Sequence, residues 1–239
     1  MMRHIAWLGA GTVFLALLPP AVEAQYANKD LQSGKQAVHS VLILPAQANF
    51  VKSGVKGDET LVKESRVLEV RLASEVASFL AGAGCDVLPS TFSDTSTNQS
   101  SDLKYALADL QTRFDRVVGE LAWNPKNLRT DQFTMGDEVA NFNPGAAADA
   151  LVFIRGEEVA FTLGQKLLGV LSHTHVPNQT LLLSIAIVDA RSGAVLYVDC
   201  AAPKVVQKHL KKSFPNHKFQ DRGRVYNDTI TPFLEPGNL

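Results

Sequence analysis

Three runs between Val38 and Pro89 decide the fold: VHSVLIL (Val38–Leu44), closed by Pro45; SRVLEVRLASEVASFLA (Ser65–Ala81), closed by Gly82 and Gly84; and CDVL (Cys85–Leu88), closed by Pro89. The first run is apolar at nearly every position, which marks a strand buried on both faces. In the second, Leu68, Leu72, Val76, Phe79 and Leu80 recur at helical spacing on one stripe, while Arg66, Glu69, Arg71 and Glu75 lie off it. The third is a second short strand. Strand, helix and strand with short connections form a βαβ unit, whose right-handed crossover makes the two strands parallel. A polar, glycine-containing stretch from Lys52 to Thr60 separates the first strand from the helix.

Downstream, the Ser/Thr/Asn tract Ser90 to Ser101 reads as a solvated loop. A second amphipathic helix is predicted over Asp102 to Leu121, with Ser101 as its cap and Leu103, Leu107, Leu110, Phe114, Val117 and Leu121 facing inward. Residues 122–146 are irregular, apart from a short helix from Gly136-Asp137 to Phe142. The back half turns β. ALVFIRGEEVAF (Ala150–Phe161) is a strand with a bend or bulge expected at Gly156. Thr180 to Asp189 and Ala194 to Ala201 are strands joined by the hairpin Ala190-Arg191-Ser192-Gly193, with glycine supplying a positive φ. Residues 162–176 form an insertion whose core, LLGVL (Leu167–Leu171), reads as a helix over the sheet edge. Lys204 to Ser213 is a basic helix. The expectation is therefore one α/β domain over residues 38–214. Its five-stranded mixed sheet has strands near 38–44, 85–88, 150–161, 180–189 and 194–201, with amphipathic helices packed on it in two or three layers.

The amino terminus speaks about compartment. Met1 to Ala24 has the form of a secretory signal peptide: Arg3, an apolar stretch from Ile5 to Leu18 too short to span a bilayer, Pro19-Pro20, and Val22-Glu23-Ala24 before Gln25. Cleavage near Ala24-Gln25 leaves about 215 residues, periplasmic or secreted. Residues 25–37 are expected as a flexible lead-in and 215–239 as a loosely ordered tail. No later apolar run approaches the ~20 residues of a membrane helix, so no transmembrane segment is expected in the mature chain. The leader is bacterial in style, so the sequons at Asn98, Asn178 and Asn227 carry no meaning as glycan sites.

The net charge of −1, with 46% hydrophobic and 20% charged residues, describes an ordinary globular core and no global field for nucleic acid. Two cysteines, Cys85 and Cys200, are the candidate pair for one disulfide in an oxidising compartment, with two buried free thiols as the alternative. The chain lacks G-x-S-x-G, H-E-x-x-H, a P-loop and a dinucleotide fingerprint after a strand. No catalytic residue, cofactor or resident metal is expected on that account. The exception weighed is His173-Thr174-His175, whose imidazoles would share a face of a strand. A metal-binding protein or periplasmic hydrolase using His173 and His175 is the alternative reading, although no acidic or cysteine ligand adjoins the pair. His39 sits in a buried strand pattern and reads as a core residue.

Ala148-Asp149-Ala150-Leu151-Val152, the hairpin VDARSGAVLY (Val188–Tyr197) and the β-α-β start together resemble several bacterial envelope domains. These are the TolB amino-terminal domain, the penicillin-binding-protein activator lipoproteins and the CsgG-like curli-secretion lipoproteins. The resemblance covers roughly residues 38–202 at the level of topology. It implies a mixed sheet with packed helices, and members that bind other envelope proteins or assemble into rings without catalytic residues. Gln25 stands where those lipoproteins carry their acylated cysteine, so no lipid anchor is expected. The 162–176 insertion is too short, and too polar at its flanks, for pore-forming hairpins. The function expected is a non-enzymatic accessory protein that binds another envelope protein or polymer. Its candidate contact residues are Leu167, Leu168 and Leu171 in the insertion and Lys204, Lys208, Lys211 and Lys212 in the basic helix, which continues toward Lys218, Arg222 and Arg224.

Overall fold

A computed structural model describes residues 24–89, 101–123, 134–142, 147–171 and 176–214. In chain order they form β1 (Ala24–Ala27), α1 (Lys29–Gln32), β2 (Ser40–Ile43), β3 (Gln47–Gly54), β4 (Gly57–Thr60), α2 (Val62–Gly82) and β5 (Asp86–Leu88). There follow α3 (Ser101–Trp123), a 3-10 helix (Asp137–Phe142), β6 (Ala150–Phe161), α4 (Leu163–Leu171), β7 (Gln179–Asp189), β8 (Val195–Ala201) and α5 (Pro203–Ser213). The 90–100 loop, nearly all of the expected leader (residues 1–23) and the 215–239 tail lie outside the described residues.

The sheet is mixed, as expected, but has eight strands rather than five. Its order is β1-β8-β7-β6-β2-β5, with β3 along the outer part of β6 and β4 on β3. β2 runs parallel to both β5 and β6, as the βαβ reading requires, and β6, β7 and β8 are antiparallel neighbours. The three additional strands arise where the sequence is polar. β2 and β3 follow the same edge of β6, Val41–Ile43 opposite Ala150–Val152 and Gln47–Ser53 opposite Arg155–Phe161. Pro45, which has no N–H to donate, separates them. β4 (GDET) is exposed at every position and exists through its pairing with β3 across a tight turn at Gly57, where φ is 126°. β1 falls inside the stretch expected to be a flexible lead-in. It pairs antiparallel with β8, Ala24 opposite Cys200 through Ala27 opposite Tyr197, and buries Tyr26.

Three layers result. α2 lays Leu68, Leu72, Val76 and Leu80 on one face of the sheet, against Val41, Ile43, Val152, Ile154, Ile185 and Ile187. α5 joins that face through Val206 and Leu210, and α1 through Leu31. α3 covers the opposite face with Leu110, Phe114, Val117 and Leu121, beside Met135 and the 3-10 helix residues Val139 and Phe142. Each aliphatic side chain so buried contributes about 1.5–3 kcal/mol. The helices α2 and α3 begin and end within a few residues of the spans read from periodicity.

Gly156 does not mark a bulge. Its register runs unbroken on both sides, opposite Leu183 and Ala48. A Cβ at this position would instead run into Leu72 Cδ1, so the glycine lets α2 close onto β6. The register shift lies between Ile187 and Val188, across β7 and β8.

The Ala-Asp dipeptide before β6 acts as a clasp. Asp149 Oδ2 accepts hydrogen bonds from the backbone N–H of His39 (2.9 Å) and Ser40 (3.0 Å), tying the start of β2 to the start of β6. Burial pushes this carboxyl up, but the Ser40 and His39 N–H groups and the Ser40 hydroxyl outweigh it and hold it below the usual carboxylate range. A depressed acid contributes stability above its ordinary range and loses it as pH falls through the folded value. Asp149→Asn should therefore cost about 1–3 kcal/mol at neutral pH. The loss should shrink toward acid pH, read as urea midpoints of both proteins across a pH series. An offset that stays constant down to strongly acidic pH would contradict the clasp.

Candidate functional site

Helix α4 connects β6 to β7 and is built inside out. It packs on β3, with the Gln165 amide donating to the Gly54 carbonyl (3.2 Å), the Thr162 N–H bonded to the Ser53 carbonyl, and Gly164 against Val55. Of its nine residues only Gly169 is buried. Leu163, Leu167, Leu168, Val170 and Leu171 are 48–78% exposed, and Val55 beside them is 62% exposed. At 3.6 residues per turn the five apolar side chains fill a continuous arc of roughly 160°. A surface helix ordinarily buries its apolar stripe and shows its polar side. Here Gln165 and the buried Gly169 face the body, and the leucines face outward.

The expected contact leucines Leu167, Leu168 and Leu171 therefore share one open surface. The expected contact lysines do not join it. Lys204, Lys208, Lys211 and Lys212 are exposed on α5, which packs on β7 and β8 in the layer of α2. What positions α5 is a buried polar cluster that sequence reading missed. Asp199 on β8 is fully buried, accepts the Tyr197 hydroxyl at 2.7 Å, and lies 2.9 Å from His209 Nδ1 on α5. Burial pushes the Asp199 carboxyl up against the pull of Tyr197 and His209, and burial next to Asp199 raises the Tyr197 phenol far above its usual range. The Gln25 amide donates to Ser213 Oγ (2.7 Å), and Phe214 meets Tyr197 edge-on at 6.1 Å. These contacts fasten α5 to β8 and to β1. The available signal was a single aspartate inside the apolar run VLYVDCA.

A second buried acid, Glu158 on β6, meets Arg71 of α2 at 2.6 Å. Burial raises its carboxyl, against the attraction of Arg71. A shallow groove between α2 and α5, lined by Glu75, Phe79, Leu183, Ile185, Gln207 and Leu210, is mostly apolar. None of these places combines a nucleophile, a base and an open cavity.

The Cys85–Cys200 disulfide is not formed. Both cysteines are buried thiols outside any disulfide. Cys85 adjoins β5 in the α2 layer, and Cys200 lies on β8 in the α3 layer. Four strand steps separate them, roughly 19 Å, against the ~7 Å limit for bridged Cα atoms. Burial pushes the Cys85 thiol up to about 11, with Asp149 adding to it, and burial raises Cys200 as well. His173 and His175 lie outside the described residues. Among the described residues no three His, Cys, Asp or Glu side chains are grouped to hold a metal ion, and no helix is long and apolar enough to cross a membrane.

The chain matches no protein-family model, and no curated protein matches it. Among solved structures, the lipoprotein GNA1162 from Neisseria meningitidis aligns over 68% of this chain and 77% of its own, with 14% identity and a TM-score of 0.30. A likeness of that depth carries no argument about fold detail or function.

Proposed function

We propose that this chain is an exported, periplasmic accessory protein without catalytic activity, acting by binding another component of the bacterial cell envelope. The observation that carries this reading is α4, a helix held to the body by its small and polar side while it presents five apolar residues to solvent. An exposed apolar surface of that kind is costly in isolation and is found where something else covers it. The export reading of residues 1–24 supplies the compartment. The lysines of α5 provide a separate cationic surface on the same molecule.

Photo-crosslinking groups placed at Leu167 and Leu171, in protein expressed at physiological level, should capture a specific envelope component. The same group at Lys63, on the exposed start of α2, should not. The reading fails if no position on α4 or α5 captures anything while the pure protein turns over an envelope substrate. It fails equally if untagged protein carries stoichiometric zinc or copper that a His173→Ala/His175→Ala variant loses.

A further inference from the structure

The reading of α4 as a contact surface leaves the covering partner open, and the chemistry around the helix narrows it. Resting on that reading, we propose that α4 and the β3–β4 turn seat on an anionic lipid surface. Leu163, Leu167, Leu168, Val170 and Leu171 enter the boundary between headgroups and acyl chains, and Lys56 and Lys166 meet lipid phosphates.

Two observations select lipid over a protein partner. The first is charge. Along α4 and the turn Gly54–Gly57 the charged residues are Lys166 and Lys56, both cationic, and Lys56 is exposed beside Val55. The acids of β4 lie one step further back, where Glu59 and Asp58 pair across the hairpin with Lys52 and Ser53. The apolar arc thus carries a cationic rim, the pattern of helices that lie in a membrane interface. The second is shape. The five apolar side chains of this nine-residue helix spread over roughly 160° of its circumference, wider than the stripe a groove-binding helix presents. A bilayer has no groove to fill. It accepts a broad apolar arc and rewards each cation near its surface by mass action and charge.

A surface this small binds weakly and reversibly, so the interaction should depend on anionic lipid and weaken with salt. The test is cosedimentation of the purified mature-length chain with vesicles of phosphatidylethanolamine and phosphatidylglycerol, beside vesicles of phosphatidylcholine alone. The wild-type chain should sediment with the anionic vesicles and not with the neutral ones. Leu167→Ser/Leu171→Ser should lower the apparent partition about tenfold or more, since each exchange removes most of an inserted aliphatic side chain. Lys56→Glu/Lys166→Glu should remove the preference for phosphatidylglycerol. All four positions lie on the surface side of their elements, so the variants should melt with the wild-type chain, and that melting is measured alongside. Binding that is equal on both vesicle types, that persists in both variants, or that is missing on every composition overturns the proposal. If a crosslinker at Leu167 then captures a protein, the accessory-protein reading stands and the lipid assignment alone falls.

Discussion

Leu72→Asp is expected to leave no soluble, cooperatively melting protein. Leu72 is fully buried at the centre of α2, pressed against Gly156 of β6 in the main core cluster. A carboxylate there would lose its water, and no hydrogen-bonding group of the surrounding apolar side chains would replace it. The cost of burying an unpaired charge reaches or exceeds the 5–15 kcal/mol that holds a domain together. The truncation Leu72→Ala is milder, about 2–5 kcal/mol, and should appear as a lowered urea midpoint with an unchanged slope. The contact with Gly156 gives a sharper check. Gly156→Ala alone forces Leu72 aside and destabilises. In the Leu72→Ala background the same change meets open space and should cost less than it does in the wild-type chain. A soluble Leu72→Asp protein with a cooperative transition, or strictly additive Gly156 and Leu72 effects, would refute the packing of α2 on β6.

The elements that the sequence discloses are those in which local pattern and tertiary role agree. β2, β6, β7 and β8 are runs of apolar residues bounded by proline, glycine or a turn, and burial on both faces is what such runs need. α2 and α3 carry continuous apolar stripes. The missed strands fail that test for physical reasons. β4 has no apolar residue except through its neighbours, and it exists because β3 offers an unpaired edge. β1 lies at the junction expected between a leader and a flexible lead-in, with Tyr26 as its one large buried side chain. Gly156 illustrates ambiguity of another kind. A glycine in a strand signals either a bulge or a close approach, and only the partner helix decides between them.

The candidate site was half legible. LLGVL is visibly apolar, and the ordinary inference from an apolar helix is a buried stripe. Which side of α4 faces the body depends on Gln165 meeting the Gly54 carbonyl and on Gly164 meeting Val55, contacts between segments more than a hundred residues apart. The lysines of α5 follow directly from the periodicity of Pro203–Ser213, which buries Val206 and Leu210 and leaves the cations outward. The Asp199–His209 pair is ten residues apart and meets only because β8 turns sharply into α5 at Ala202-Pro203. Proline at the first helical position suits that turn, since its missing N–H would have had no helical partner.

Gly193→Val is expected to lower stability by about 3 kcal/mol or more, combining the strain of a β-branched residue at positive φ with a backbone collision. Gly193 closes the β7–β8 hairpin at φ 69°. The turn itself is strongly specified: Asp189 Oδ1 accepts from the Arg191 and Ser192 N–H groups and the Ser192 hydroxyl, and the Gly193 N–H is bonded to the Asp189 carbonyl. A Cβ at 193 would strike the carbonyl oxygen of Gly136. That carbonyl cannot retreat cheaply. Met135, next to it, donates its N–H to the Gly193 carbonyl at 2.8 Å, Thr134 bridges Ala194, and Met135 is buried with Val139 and Phe142 under α3. The hairpin and the 3-10 helix are therefore one unit, and disturbing the turn should loosen the helix. Asp189→Ala removes side-chain hydrogen bonds without introducing a clash and should cost less, about 1–2 kcal/mol. Urea midpoints should fall in the order wild type, Asp189→Ala, Gly193→Val. Hydrogen exchange should speed up at the Met135 amide in Gly193→Val well beyond what global destabilisation explains. A Gly193→Val protein with the wild-type midpoint, or one in which the Met135 amide keeps its native protection, would show that the hairpin and the 3-10 helix are not packed against each other.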